Sequence, residues 1–219
     1  MNGRVFVFPL SYEGASQTAL AQPIAARGKT LDWEFHATLV GRKNEDWARM
    51  TIDHFGLGDV LTVAQYIEEY TAIITDICPD IAAWEGSVPL LKALKAAGFP
   101  VAIATSSPRP SFDKKMKHHP EILELIDAVV TGDEVVNGKP APDIFIEAAR
   151  RINCDPSKCV AFEDSPFGVE AAHAAGMVAC ALPDPRMPKN APRFTTLNPR
   201  WSLAAIGDFK VGWVQLLPL

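Results

Sequence analysis

Three groups of polar residues follow three separate apolar runs in the second half of the chain. The hydroxyl-rich segment Thr105-Ser106-Ser107 comes directly after the run 101–104. Lys139 stands in a proline-rich stretch, and Glu163-Asp164 end another apolar run. Because ligands of open parallel sheets bind outside the carboxyl ends of the strands, these residues should meet in one crevice. Their chemistry indicates a site for a phosphate group and Mg²⁺.

Each of these side chains suits one task in the handling of a phosphoryl group. Thr105 and the adjacent backbone amides can donate hydrogen bonds to phosphate oxygens, and Lys139 supplies a point charge. Asp164 offers a hard oxygen ligand for Mg²⁺, and Glu163 can orient a metal-bound water. The predicted sites are therefore catalytic residues Thr105, Lys139 and Glu163, metal ligand Asp164, and substrate-binding residues Ser106 and Ser107.

Each group also has a plainer explanation. The segment 105–107 could be a polar turn, Lys139 a solvated loop lysine, and Glu163-Asp164 the cap of the helix that follows. The order of the groups, each after an apolar strand, argues against coincidence.

The elements that position these residues alternate between strand and helix from Trp84 onward. Their short, uniformly apolar strands are typical of a parallel sheet that is covered by helices on both faces. We therefore predict an α/β fold with a three-layer, Rossmann-like core. The predicted strands are 5–8, 101–104, 128–130, 159–162 and 178–182. The predicted helices are one that opens at Gly86-Ser87 and ends at Gly98, and 111–119, 121–125, 143–152 and 169–175.

The segment between the first strand and Trp84 has a different character. The stretches 16–27, 44–55 and 63–77 carry apolar residues at helical spacing, and nothing in the segment alternates like a strand. We predict a helical cap at residues 11–84, inserted into a hydrolase-like core of residues 1–10 and 85–219.

The sequence resembles the haloacid dehalogenase-like hydrolases that carry a helical cap. Thr105 matches the second motif of that family, Lys139 the third, and Glu163-Asp164 the fourth. The stretches 101–115, 138–145 and 162–176 look especially close to pseudouridine-5'-phosphatase-like members. The resemblance implies a Mg²⁺-dependent phosphomonoesterase of a small phosphorylated metabolite, with pseudouridine 5'-phosphate as the leading substrate.

A basic stretch of the cap resembles the loop with which related caps contact substrate. It comprises Gly41, Arg42 and Lys43, which the resemblance makes candidate substrate-binding residues. The plainer alternative is an exposed basic turn.

The first motif of the family is missing. The family mechanism needs an Asp-x-Asp pair after the first strand, one aspartate as nucleophile and the other as general acid and base, with Mg²⁺ screening the charge. The chain reads Val7-Phe8-Pro9 there, and its first carboxylate is Glu13. Since loss of a nucleophile costs several orders of magnitude in rate, we expect this chain to be inactive and its Mg²⁺ binding weak or lost.

The reason for this change stays open between an alternative first exon, a mistaken start and true divergence. Two other functions also stay open. One is a non-catalytic phosphometabolite-binding or regulatory protein, and the other is a non-functional product of aberrant transcript processing.

Composition excludes several classes of protein. The formal net charge of −5 argues against nucleic-acid binding, and no apolar run approaches the ~20 residues of a membrane span. The four cysteines lack the spacing of a zinc site or a disulfide framework. We expect a cytoplasmic monomer with a small-molecule ligand and neither nucleic-acid nor membrane partners.

Overall fold

The computed structural model describes residues 6–7, 13–77, 83–187 and 191–216. The elements in chain order are β1 (Phe6–Val7), α1 (Glu13–Ala25), α2 (Trp33–Leu39), α3 (Asn44–Phe55), α4 (Val63–Ile77), α5 (Ser87–Ala96), β2 (Val101–Ala104), α6 (Arg109–Met116), α7 (Pro120–Leu123), β3 (Ala128–Val130), α8 (Asp143–Arg151), β4 (Val160–Glu163), α9 (Pro166–Ala174), β5 (Val178–Ala181), α10 (Ala191–Leu197) and β6 (Trp201–Ser202). Short 3₁₀ helices lie at Gly132–Glu134, Pro156–Lys158, Ile206–Asp208 and Val211–Leu216.

Within the described ranges, six strands form one parallel sheet in the order β3-β2-β1-β4-β5-β6. One face packs against α8, α9 and α10 through a core that includes Phe145, Val169 and Phe194. The other face packs against α5, α6 and α7, with Leu91 and Phe112 in its core. The predicted three-layer α/β core is confirmed.

Helices α1 to α4 lie between β1 and α5 in the chain. They share a hydrophobic core that is separate from those of the sheet. Leu20, Ile52 and Tyr66 are buried together there, and the Tyr66 hydroxyl donates to the Leu20 carbonyl oxygen over 2.9 Å. Residues 13–77 contain no strand, as the helical spacing of their apolar residues predicts. The proposed boundaries of the cap remain predictions, because residues 8–12 and 78–82 lie outside the described part.

Several boundaries differ from the sequence prediction. Helix α2 was not predicted, since it has only seven residues; Asp32 caps it by accepting a hydrogen bond from the Phe35 amide. Strand β4 extends to Glu163, and α9 already starts at Pro166 because the Ser165 hydroxyl caps it, accepting from the Gly168 amide. Helix α10 and strand β6 were not predicted either. Val5 and Phe8 of the predicted first strand lie outside the described residues.

The sheet topology brings two of the polar segments to one edge. Val7 of β1 pairs with Ala102 of β2 on one side and with Ala161 of β4 on the other. The segment that follows β2 and the segment that follows β4 therefore flank the end of β1. None of the helices among the described residues is long and apolar enough to cross a membrane.

Candidate functional site

A cavity of about 150 Å³ lies between the carboxyl edge of the sheet and the helices of the cap. Eight of the nine site residues predicted from the sequence line it. They are Gly41, Arg42, Thr105, Ser106, Ser107, Lys139, Glu163 and Asp164. The cap side of the wall adds polar and aromatic residues, namely Ser16, His36, Asn44, Trp47 and Tyr70.

Lys139 and Glu163 form a buried ion pair in the wall of the cavity. Nζ of Lys139 lies 2.6 Å from Oε1 of Glu163, and only 7% and 4% of the two side chains are exposed. The same ammonium group is 3.4 Å from the carbonyl oxygen of Ala104, at the end of β2. The pair therefore holds the lysine between the ends of β2 and β4 and neutralises its charge.

A glycine in the following helix makes room for this pair. A Cβ atom at Gly168 would overlap the carboxylate of Glu163. Its amide donates to the Ser165 hydroxyl over 2.9 Å and so starts α9 close behind β4. Only a residue without a side chain fits at this position while Glu163 keeps its place.

The hydroxyl-rich segment after β2 is held by its own hydrogen bonds. Thr105 Oγ1 accepts from the Ser107 amide over 3.2 Å, and the Ser107 hydroxyl accepts from Lys115 Nζ over 2.9 Å. A Cβ atom at Gly132 would overlap the Ser106 carbonyl oxygen, so the loop after β3 packs directly against this segment. These contacts fix two hydroxyl groups and an ammonium group at one end of the cavity.

Lys115 was missed by the sequence reasoning. It lies on α6 and lines the cavity together with Phe112, which is three residues earlier and so on the same face of the helix. That spacing is the one signal in the sequence that would place this lysine beside the hydroxyl-rich segment.

The cap loop makes three different contacts with the core. The Gly41 carbonyl oxygen accepts from the Ser106 hydroxyl over 3.1 Å, and at its φ of +84° a Cβ atom would press on Ser165. The Arg42 guanidinium lies 4.3 Å from the ring centroid of Phe167. Gly41 and Arg42 thus reach the cavity from the cap.

Lys43 is the exception among the predicted site residues. Its Nζ donates to the carbonyl oxygens of Val135 and Val136, over 3.0 and 2.8 Å, and its side chain does not line the cavity. The structure thus shows a contact of Lys43 other than the one predicted with substrate, because the ammonium group joins the cap to the loop after β3.

A carboxylate supports that loop. Glu134 accepts hydrogen bonds from the Thr131 amide over 2.7 Å and from Arg109 over 2.9 Å. Burial raises the pKa of Glu134, but these hydrogen bonds outweigh it and lower the pKa to about 2. The loop that contacts Ser106 therefore depends on an ionised Glu134.

The resemblance to haloacid dehalogenase-like hydrolases implies Mg²⁺, which needs several oxygen ligands. Among the described residues, the carboxylates of the wall are Glu163 and Asp164, and Glu163 is engaged by Lys139. The described residues contain no cluster of three or more potential metal ligands. Mg²⁺ demands octahedral oxygen coordination, which Asp164 by itself does not supply. The described donor set does not fit a resident Mg²⁺ ion.

A family model for haloacid dehalogenase-like hydrolases matches residues 5–176. The chain belongs to this family. The resemblance stated from the second, third and fourth motifs is thereby confirmed.

Relatives of known name in the haloacid dehalogenase-like family extend the comparison. The chain is 40% identical over 179 residues to (DL)-glycerol-3-phosphatase 1, mitochondrial, of Arabidopsis thaliana. The alignment covers 79% of this chain and 60% of that protein. The chain is 36% identical over 188 residues to a probable pseudouridine-5'-phosphatase of Drosophila melanogaster. That alignment covers 84% of this chain and 79% of the Drosophila protein. The chain thus spans less than two thirds of the first of these proteins.

Solved structures of the haloacid dehalogenase-like family agree on the fold. A hydrolase of Entamoeba histolytica aligns with a TM-score of 0.83 at 22% identity, over 99% of both chains. The beta-phosphoglucomutase of Clostridium difficile aligns with a TM-score of 0.81 at 17% identity, over 99% of this chain and 96% of the other. At these identities the likeness concerns the fold alone.

Proposed function

We propose that this chain binds a small phosphorylated metabolite on a phosphatase scaffold and hydrolyses it far more slowly than its relatives. One observation carries the proposal. The cavity keeps Thr105, Lys139 and Glu163 in contact range of one ligand, whereas residues 8–12 include no carboxylate.

The proposed role of each residue follows from the chemistry of its side chain. Thr105 donates to a phosphate oxygen, and the Lys139 ammonium group, which Glu163 holds at the end of β2, donates a further hydrogen bond to it. Covalent phosphoryl transfer in this family needs an aspartate that attacks phosphorus. Since Val7, Phe8 and Pro9 carry no nucleophile, the transfer step is slowed, whereas the groups that bind phosphate are kept.

The size of the cavity favours a compact ligand. Its 150 Å³ is below the roughly 300 Å³ at which pockets for drug-sized ligands begin. Ser16, His36 and Asn44 give the cap side hydrogen-bonding groups suited to hydroxyls. We therefore place a three-carbon polyol phosphate ahead of pseudouridine 5'-phosphate, the substrate expected from the sequence.

Relatives support both choices, since one of the two named above is a glycerol-3-phosphatase and the other a probable pseudouridine-5'-phosphatase. A cytoplasmic location and a monomeric state stay predictions from the sequence.

A turnover assay tests the proposal. The purified chain is incubated with an aryl phosphate and with glycerol 3-phosphate in the presence of Mg²⁺, beside Arabidopsis thaliana (DL)-glycerol-3-phosphatase 2 as reference. We expect rates about three or more orders of magnitude below the reference, as for removal of a nucleophile. Turnover comparable to the reference would overturn the proposal.

Restoring the acidic pair supplies the converse test. Two double variants place Asp-x-Asp in alternative registers, Val7→Asp with Pro9→Asp and Pro9→Asp with Ser11→Asp. We expect one of them to gain Mg²⁺-dependent turnover, and the gain to vanish when Lys139→Met is added. If neither gains activity while both remain folded, the non-catalytic binding role is favoured over a phosphatase that lost only its nucleophile.

A further inference from the structure

We propose that the pair Asn137-Gly138 is a site of spontaneous deamidation, and that the reaction releases the loop that carries Lys139 from helix α8. The reagent is water, and the products are ammonia and an aspartate or isoaspartate at position 137. The inference does not depend on whether the chain hydrolyses a phosphate ester.

The reaction takes place within the pair itself. The Gly138 nitrogen gives its proton to solvent base and forms a bond to Cγ of Asn137. The Cγ–Nδ2 bond then breaks, and the leaving NH2 group takes a proton from solvent and departs as ammonia. Water opens the resulting five-membered succinimide at either carbonyl group, which leaves aspartate or isoaspartate. Replacement of the amide by a carboxylate adds one negative charge at neutral pH.

The exposure of the pair is the first support. Val136, directly before it, is 87% exposed, and Asn137 is exposed as well. Glycine has no side chain, so the nitrogen of Gly138 is open to approach by the asparagine carboxamide. Within the described ranges the Gly138 amide donates no hydrogen bond, so none must break before the nitrogen attacks.

Packing against the cap requires the glycine of the pair. A Cβ atom at Gly138 would come within 2.8 Å of Cγ of Lys43, and the Lys43 ammonium group donates to the carbonyl oxygens of Val135 and Val136. Any other residue at position 138 would have to shift Lys43 away from this loop. The contact between cap and core therefore keeps the reactive pair in the fold.

Asp143 determines what the reaction does to the structure. Its Oδ1 accepts from the backbone amide of Asn137 over 3.1 Å and from Asn137 Nδ2 over 2.9 Å, and so joins the loop to the first residue of α8. Deamidation replaces the Nδ2 donor by a carboxylate, so two negative charges face one another where a hydrogen bond was. Isoaspartate also lengthens the main chain by one carbon atom, two residues before Lys139. The loop then separates from α8.

Peptide mapping by mass spectrometry tests the reaction on the full chain, after storage in warm, mildly alkaline buffer. Asn153 is the internal reference, because it is also exposed but is followed by Cys154. We expect conversion at Asn137 to be about tenfold or more faster than at Asn153, which corresponds to about 1.4 kcal/mol in the barrier. Asn137→Gln should abolish the conversion, since its longer side chain does not close the five-membered ring. The other pair of this kind, Asn2-Gly3, lies outside the described residues and is resolved as a separate peptide.

The variant Asn137→Asp tests the effect on the loop, because it carries the added charge without the longer main chain. Its Tm should fall by about 2–4 °C, as for a lost hydrogen bond in a chain of this size. Amide hydrogen exchange over residues 135–139 should become faster. Adding Asp143→Asn should recover part of the loss, because it restores a donor opposite the new carboxylate.

Two outcomes overturn the inference. One is conversion at Asn137 that is no faster than at Asn153 in the folded chain. The other is a chain with aspartate or isoaspartate at position 137 whose Tm and hydrogen exchange equal those of the parent. If Asn137→Asp fails to fold, the stored chain, separated from its parent by anion exchange through its added charge, takes its place in both measurements. Failure of the proposed function is seen separately, as rapid turnover in the hydrolysis assay.

Discussion

Nζ of Lys139 and Oε1 of Glu163 are 2.6 Å apart in the interior of the protein, where almost nothing of either side chain reaches solvent. The lysine stands in the loop before α8 and the glutamate at the last position of β4. Their contact therefore joins two segments that are separated by 24 residues in the chain. An ion pair so placed supports the site and the fold at the same time.

Removing one partner of this pair should be more harmful than removing both. Lys139→Met and Glu163→Gln each leave a buried charge without its opposite charge, and we expect each to lower the free energy of unfolding by about 3 kcal/mol. The double variant should recover part of that loss, because it leaves no uncompensated charge. Urea unfolding of the four proteins measures the coupling. If the loss of unfolding free energy in the double variant equals the sum of the two single losses, the two side chains do not interact.

The gathering of Thr105, Lys139 and Glu163 was predictable because it depends on local pattern and sheet topology. Apolar runs fix where strands end, and parallel strands bring their carboxyl ends to one edge. The contacts of Lys115 and Lys43 were harder to predict from the sequence. Lys115 donates to the Ser107 hydroxyl, and Lys43 donates to carbonyl oxygens 92 and 93 residues away in the chain. Contacts of that kind arise from tertiary packing, which a motif does not encode.

The position of Lys43 gives a prediction that separates it from its neighbour Arg42. Lys43→Met removes two hydrogen bonds to the loop after β3, so we expect a loss of about 1–2 kcal/mol in the free energy of unfolding. Phosphate-ester affinity should not change, whereas Arg42→Met should weaken binding of glycerol 3-phosphate. Urea unfolding and isothermal titration on both variants give the answer. Equal loss of ligand affinity in the two variants would restore Lys43 to the binding site.

Glu134 makes stability depend on pH in the acidic range. The pKa of Glu134 lies at about 2 in the folded protein against an ordinary value of 4.5. A lowered pKa contributes stability above the ordinary value, and this stability is lost as pH falls from about 4.5 toward 2. Glu134→Gln should therefore flatten the dependence of Tm on pH across that window. A slope identical to that of the parent chain would mean that other carboxylates carry the acid sensitivity.

Phosphate should stabilise this protein more than Mg²⁺ does. Of the two carboxylates in the described wall, Glu163 is engaged by Lys139, and Mg²⁺ sheds its water reluctantly, so we expect weak metal binding. A ligand raises Tm according to its concentration relative to its dissociation constant, which makes thermal shift a direct comparison. Phosphate should raise Tm clearly, and millimolar Mg²⁺ should raise it less.

Two variants decide how a contrary result would be explained. Strong stabilisation by Mg²⁺ that Asp164→Asn abolishes would show that the chain has kept a metal site despite the missing aspartate pair. Such a site needs a further oxygen ligand, and Glu13 is the first carboxylate after β1. Loss of the same stabilisation in Glu13→Gln would identify that ligand, and its persistence would exclude Glu13. With no Mg²⁺ stabilisation in the parent chain, Asp164→Asn should instead strengthen phosphate binding, because it removes a negative charge from the wall of the cavity.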